Sequence, residues 1–297
     1  MTSKSKELPI LVNTETIEAE LEAVNALELE QGHRNWIMCE KENPNNFSNW
    51  FPHFVGVFST PKSVVYHLPE ELMPCFFLEK LDDRENLLNW IAKEMLPSIL
   101  NDFPTGSCIF LKNGCFSNKF DFARSCLVKP EEKIAEGLLK HILNIEEPAL
   151  CFGTYGDLEF IARQWIEPVE GTPTIYNGMP LRPEVRIFYD FDRKKLLYDK
   201  FYWDWDYCFS HIEGTPDEQE YTDTYPVIFN DYLSKRDWIL EVTEKKLAEV
   251  EGMEGIWSVD FLLDNQSYPK DTWHLWMIDA AVAWQSAYWD PSKAGLK

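Results

Sequence analysis

Apolar and polar positions alternate or cluster at strand lengths in three runs near the middle of the chain. The first reads Glu159-Phe-Ile-Ala-Arg-Gln-Trp-Ile-Glu-Pro168, the second Arg182-Pro-Glu-Val-Arg-Ile-Phe-Tyr-Asp190, the third Lys195-Leu-Leu-Tyr-Asp-Lys-Phe-Tyr-Trp-Asp204. Gly171, Pro173, Gly178 and Pro180 punctuate the gap between the first two. Asp192-Arg193 predicts a tight turn that makes the second and third runs a hairpin. Arg163, Glu167, Glu184, Arg186 and Lys200 are threaded through these strands, which is more charge than a strand needs in order to be a strand.

On either side, the period changes. Asn13-Thr14 predicts a capped helix to about Glu30, with Ile17, Leu21, Val24 and Leu27 on one face. Short aromatic strands are expected over 35–39, 55–58 and 64–67. A helix is expected over 85–96, with Pro97 ending or bending it. Residues 129–143 predict another helix, with Pro130 and two acids in its first turn. The clearest helical pattern is 231–250, capped by Asn230 or Asp231, with Leu233, Trp238, Ile239, Val242 and Leu247 facing inward. Gly252 and Gly255 then release the chain into two apolar strands, 256–263 and 273–280. This mixture of strands and helices is an α/β (α+β) pattern.

Two stretches carry candidate chemistry. In Ser107-Cys-Ile-Phe-Leu-Lys-Asn-Gly-Cys-Phe-Ser-Asn-Lys119, a strand over 108–111 delivers Lys112 into a loop with Gly114, Ser117 and Lys119. Two cations, a hydroxyl and loop N–H groups suit a polyphosphate, although a turn with two solvated lysines is the plainer reading. In the last two strands a single carboxylate, Asp260 or Asp279, interrupts each apolar run. Antiparallel pairing could set these side by side, and two buried like charges need a cation between them. Mg²⁺ is the natural one, and strand ends meeting water or lysine are the alternative.

Composition narrows the classes. The chain has 297 residues, 45% of them hydrophobic, with 12 Trp and 19 Phe, enough for a sizeable core. A net charge of −22 argues against nucleic acid or an anionic membrane as partner, since both are held through Lys and Arg. No apolar run approaches the ~20 residues that span a bilayer, and the N-terminus lacks a signal-peptide core. Seven scattered cysteines without a CxxC predict reduced thiols and a cytoplasmic setting. Cys39, Cys75 and Cys151 sit among apolar neighbours and are expected in the core.

In order along the chain stand a lysine loop, a helix, Trp165-Ile166-Glu167-Pro168, Glu184-Val185-Arg186, a helix, the Asp260 strand and Ile278-Asp279. This succession resembles the ATP-grasp superfamily over roughly residues 105–290. The spacing Lys-x4-Ser-x-Lys resembles the branch that holds phage-type proteins and the eukaryotic assembly chaperone of translation initiation factor two. The resemblance implies an ATP-grasp fold, with two α+β subdomains sandwiching the nucleotide. A small α/β domain (1–104) would precede an ATP-grasp domain (105–297), itself divided into a phosphate-loop lid (105–165) and a hinge and metal-binding part (166–297).

The resemblance also implies roles for single residues. Lys112, Ser117 and Lys119 would hold the α- and β-phosphates of ATP. Trp165-Ile166-Glu167-Pro168 would form the hinge, with the backbone of Trp165 and Ile166 reading adenine and Gln164 beside them also binding ATP. Glu167 or Glu170 would take the ribose hydroxyls, and Glu184 would line the site. Arg186, with Lys200 assisting, would neutralise the γ-phosphate, and Asp260 and Asp279 would carry Mg²⁺. The activity implied is ligation of an unknown carboxylate acceptor to an amine or other nucleophile through an acyl phosphate. Ala281 stands where the family's metal motif has Asn, which leans toward the alternative: a non-catalytic ATP-binding assembly factor that docks a protein partner. The tryptophans at 205 and 284–289 could serve such docking, although tryptophan clusters are more often core. Glu79-Lys80-Leu81-Asp82 mimics the lysine motif of covalent nucleotidyltransferases, but Asp83 replaces the motif's glycine and the match reads as coincidence.

Overall fold

The computed structural model of the protein describes residues 42–76, 84–152, 158–264 and 273–295. Apart from Glu42 these belong to one compact unit, Asn43–Lys297. The expected helix 13–30, the strand 35–39, the Lys80 motif and the burial of Cys39 and Cys151 lie outside the described residues. The architecture is mixed α+β and its main sheets are antiparallel, as the sequence pattern implies.

The chain opens with helix α1 (Phe47–Phe54), which buries Phe47, Trp50 and Phe54. The expected strand over 55–58 is instead a turn after this helix, joined only by a bridge between Val55 and Phe58. Strand β1 (Ser63–His67) follows, as expected. Next come α2 (Arg84–Trp90), a π turn (Ile91–Met95) and α3 (Leu96–Asp102). Pro97 therefore does not end the helix. Pro97 stands in the first turn of α3, where its missing N–H matters least, and the π turn before it absorbs the misfit, with Leu96 N–H reaching back to Ile91 O.

Strand β2 (Ile109–Asn113), helix α4 (Phe122–Ser125), strand β3 (Leu127–Val128), helix α5 (Ala135–Phe152) and strand β4 (Glu159–Gln164) complete the first layer. Helix α5 starts later and runs further than the expected 129–143, because Pro130–Glu132 forms a separate 3₁₀ turn. Gly137 lets that turn come close, since a Cβ there would lie 2.2 Å from Glu132 O. The first sheet has the order β1-β4-β2-β3. The 104/105 boundary drawn from the sequence thus falls inside the unit, with β1 and β4 paired across it.

A small hairpin, β5 (Thr174–Ile175) and β6 (Met179–Pro180), fills the expected turn-rich insert. Then come β7 (Glu184–Asp190) and β8 (Lys195–Phe201), the hairpin read from the sequence. After α6 (Trp205–Ile212) runs the 30-residue helix α7 (Glu218–Leu247). Helix α7 begins well before the expected cap at Asn230 or Asp231, which lie in its middle. Its buried stripe is Tyr221, Thr224, Ile228, Tyr232, Ile239, Thr243 and Leu247, partly polar and so hidden from a hydrophobic scan. Leu233 and Trp238, expected inside, are 48% and 37% exposed. Strands β9 (Ile256–Asp264) and β10 (His274–Val282) finish a second sheet ordered β10-β9-β7-β8.

Strand alternation decides which residues meet the space between the layers. Val185, Ile187 and Tyr189 on β7, with Trp257, Val259, Phe261 and Leu263 on β9, enter the main core. Glu184 and Arg186, then Asp260 and Leu262, therefore take the other face. On β10, Leu275 and Met277 are core and so are Ala280 and Val282. Strict alternation cannot satisfy both pairs, and a bulge between Met277 and Asp279 corrects the phase. The bulge sends Asp279 to the face that carries Asp260.

Candidate functional site

A cleft lies between the two sheets. Its walls include Phe110 and Lys112 from β2, Arg163 and Gln164 from β4, Glu184 from β7, Leu262 from β9, and Ile278 and Asp279 from β10. Ser117, Lys119, Trp165, Ile166, Met179 and Arg182, with Pro61 and Phe122, complete it. Eight residues expected from the sequence thus meet in one place: Lys112, Ser117, Lys119, Gln164, Trp165, Ile166, Glu184 and Asp279.

At the closed end, Lys112 is a buried strand residue rather than a loop residue. Its Nζ donates to Asp279 Oδ1 at 3.1 Å. Arg163 Nη1 donates to Ile278 O at 2.6 Å, while its Nε and Nη2 are buried with no hydrogen-bond partner among the described residues. Both cations rest on the Phe47 ring, at 5.9 and 5.4 Å from its centroid. Burial lowers the Arg163 pKa to about 10, against the pull of Asp279. Burial alone would raise the Asp279 carboxyl, but Lys112, Lys119 and Arg163 together hold it below its ordinary value.

The middle of the cleft holds a second set. Lys119 Nζ donates to the Tyr202 hydroxyl at 3.1 Å. Burial pushes the Lys119 pKa down, but Tyr202, Glu184, Asp279 and Asp260 outweigh it and leave it raised. Glu184 is buried, and its Oε2 has no hydrogen-bond partner among the described residues. Burial raises its pKa, although Lys119 and Arg182 pull the other way.

Asp260 and Asp279 are direct register partners on β9 and β10, as the antiparallel reading anticipates. The cation beside Asp260 is Arg186, which stands opposite it on β7. Arg186 Nε meets Asp260 Oδ1 at 2.8 Å and Nη2 meets Oδ2 at 2.7 Å. A third bond runs from Nη1 to Ala287 O at 3.1 Å. Without a ligand the two carboxylates are thus each paired with a cationic side chain. Among the described residues no three His, Cys, Asp or Glu side chains gather as a metal site.

The remaining expected residues do not line the cleft. Lys200 pairs with Asp204 at 2.5 Å and lies over the Tyr288 ring. Glu167 accepts from the Trp165 indole at 3.0 Å, and Glu170 is exposed. Ile166 does line the cleft, and its carbonyl, part of the backbone expected to read adenine, accepts from Arg182 Nη1 at 2.9 Å.

Sequence reasoning missed three contributors. Arg163 drew notice only as a charge within a strand. Arg182 stands before Pro183 outside any regular pattern, yet stacks on Trp165 at 5.5 Å. Tyr202 links the Lys119 ammonium to Arg186, whose guanidinium lies 5.2 Å from the Tyr202 ring centroid. In a chain of net charge −22, the cleft and its margin gather five cations (Lys112, Lys119, Arg163, Arg182, Arg186) against three carboxylates (Glu184, Asp260, Asp279). Its free volume is only about 70 Å³, far below the ~300–1,000 Å³ of a small-molecule pocket, so a ligand of nucleotide size must part its walls.

No protein-family model matches the chain. No curated protein matches it either. Among solved structures it is similar to Cdc123 from Schizosaccharomyces pombe, at 16% identity over 80% of this chain and 83% of that one, with a TM-score of 0.40. It is likewise similar to the C-terminally truncated Cdc123 from the same yeast, at 17% identity over 80% and 82%, with a TM-score of 0.42. Likeness this remote leaves the functional reading to the geometry of the cleft.

Proposed function

We propose that the cleft binds a nucleoside triphosphate, ATP, and that the chain is a non-catalytic ATP-binding assembly factor that docks a protein partner. The observation that carries the nucleotide reading is Arg163, whose Nε and Nη2 are buried at the cleft wall without an acceptor among the described residues. Burying such donors unpaired costs about 1–3 kcal/mol, a cost that an entering phosphate oxygen removes. Lys112, Lys119 and the Ser117 hydroxyl supply further donors along the same wall. Mg²⁺ would come with the nucleotide, and Asp260 and Asp279 are the carboxylates that would hold it if their cations turned to phosphate.

The binding role is favoured over ligation by what the residues expected to serve transfer are already doing. Arg186 is held by Asp260 and a carbonyl, Lys200 by Asp204, and Ala281 supplies no ligand atom. The ligase reading keeps one support of its own: Arg186 stands beside both Asp residues, where a transferring phosphoryl group would need charge.

The test is the melting temperature of the full chain with ATP, with and without Mg²⁺, and with adenosine. ATP should raise it by mass action, adenosine should not, and Arg163→Met should abolish the rise. A melting curve unmoved by saturating Mg-ATP removes the nucleotide reading. ADP release above background with any carboxylate and amine pair removes the binding-only one.

A further inference from the structure

The cleft can admit a ligand only where its walls part, and a clasp closes it at the surface. Between Ile166 and Arg182, both on the cleft wall, the chain runs out into the β5–β6 hairpin, whose turn is Tyr176-Asn177-Gly178. That turn reaches the segment that follows Lys119. The N–H groups of Phe122 and Ala123 donate to the carbonyls of Tyr176 and Asn177, each at 3.0 Å. Asn177 Nδ2 donates to Asp121 Oδ1 at 2.7 Å, and the Phe120 ring lies 5.1 Å from the Tyr176 ring. Met179 and Phe122, on the two sides of the clasp, both line the cleft.

Two observations make this clasp the weak side of the closed cleft. The first is exposure. The bond between Asn177 and Asp121 lies at the surface and Phe120 is 45% exposed, so water competes for these contacts. Lys112, which bridges the layers at the closed end, is by contrast only 3% exposed. The second is the backbone of the turn. Tyr176 and Asn177 have φ of 52° and 57°, in the left-handed region that asparagine tolerates and a bulky tyrosine does not favour. The contacts of the closed state hold that conformation: the clasp itself, and a bond from Tyr176 N–H to Asp217 Oδ2 at 2.7 Å, just before α7. Undoing the clasp removes much of what keeps a tyrosine there, so the opened turn is free to relax.

We propose that the Tyr176–Asn177 turn is a latch on the cleft. Closed, it holds the loop that carries Ser117 and Lys119 against the second layer. Released, it lets that loop swing out and a phosphate-bearing ligand reach Lys112 and Arg163. The inference rests on the nucleotide reading for the identity of the ligand, but not for the opening itself. Asp121, Tyr176 and Asn177 lie outside the cleft wall. The latch therefore governs access, while the cations beneath it govern what is bound.

Hydrogen exchange on the full chain reads the latch without any ligand. The Phe122 and Ala123 amides should be about tenfold less protected than the Leu111 amide, which is bonded to Cys126 O at 2.7 Å. Asp121→Ala should lower their protection further and leave that of Leu111 unchanged. Entry is read with Asp121→Cys and Asn177→Cys together, at two positions whose native side chains are in bonded contact. With the disulfide formed and its linkage verified by mass spectrometry, the protein should keep its fold yet lose the ATP-induced rise in melting temperature. Reductant should restore the rise, and wild type treated with the same oxidant should keep it throughout. The proposal is overturned if the two amides are as protected as Leu111, or if the cross-linked protein takes up ATP like its reduced form. If ATP leaves wild type unmoved, the nucleotide reading fails on its own, and the exchange experiment still decides the latch.

Discussion

Asp260 and Asp279 stand directly across from each other on β9 and β10, yet each is held by a different cation from a different sheet. Arg186 on β7 grips Asp260, and Lys112 on β2 reaches across the cleft to Asp279. The second pair is thus a bond between layers, and a ligand that attracts Lys112 must break it. Without a ligand, the site is closed upon its own charges.

The two pairs differ in burial, so their loss should differ in cost. Arg186 and Asp260 side chains are 12% and 3% exposed, and Asp260→Asn leaves a buried guanidinium without its partner. About 3–5 kcal/mol of stability should go. Asp279 is 35% exposed although Lys112 is not, so water softens the change to about 1–2 kcal/mol for Asp279→Asn. A pair of metal ligands, by contrast, could be removed without cost to the ligand-free fold. Urea unfolding of both variants checks the order, which a larger loss for Asp279→Asn would reverse.

The two cleft carboxylates should respond to pH in opposite senses. The Asp279 pKa is lowered on folding because its cationic neighbours outweigh its burial, so its contribution is present above the ordinary carboxylate range and fades as pH falls through the folded value. The gap between wild type and Asp279→Asn should therefore close in acid. The Glu184 pKa is raised by burial, so its ionisation costs stability as pH rises through the folded value. Glu184→Gln should be at least as stable as wild type at neutral pH, with the advantage vanishing in acid. Denaturation midpoints from pH 3 to pH 8 test both. A stability loss at pH 7 for Glu184→Gln would mean that the carboxylate is satisfied in the fold.

Much of this site was legible because its residues interrupt apolar runs. Asp260, Asp279 and Lys112 each break a strand of largely hydrophobic residues, Glu184 opens one, and strand phase turns each of them toward the cleft side of its sheet. The bulge that puts Asp279 in phase leaves no mark in the sequence, because both phases place an apolar residue in the core. The floor under Lys112 and Arg163 was hidden for another reason. Phe47 belongs to an aromatic-rich helix with Pro52 inside it, which does not read as helical. The length of α7 was missed because tyrosines and threonines make part of its buried stripe. The ion pairs themselves were not readable, since register alone does not say whether two carboxylates share a metal or each takes a cation.

Arg186 distinguishes a binding factor from a ligase. Its two bonds to Asp260 and one to Ala287 O make it a clamp in the ligand-free protein. Pairing with a carboxylate on a neighbouring strand is the plain structural role for a strand arginine, and it is the arrangement observed. The pair is buried rather than superficial, so Arg186→Ala should cost about 3–5 kcal/mol by leaving the Asp260 charge uncompensated. That loss alone would obscure any effect on the ligand. The informative variant replaces both partners, Arg186→Met with Asp260→Leu, because exchanging a whole buried pair for apolar residues is often close to neutral. In a binding factor, wild type releases no ADP above background. The double variant should then keep its fold and retain much of its ATP-induced rise in melting temperature through Lys112, Lys119 and Arg163. In a ligase, a guanidinium aimed at developing charge is worth more in the transition state than in the ground state. Turnover by wild type that the folded double variant loses, while still binding ATP, would return Arg186 to catalysis and end the binding-only reading.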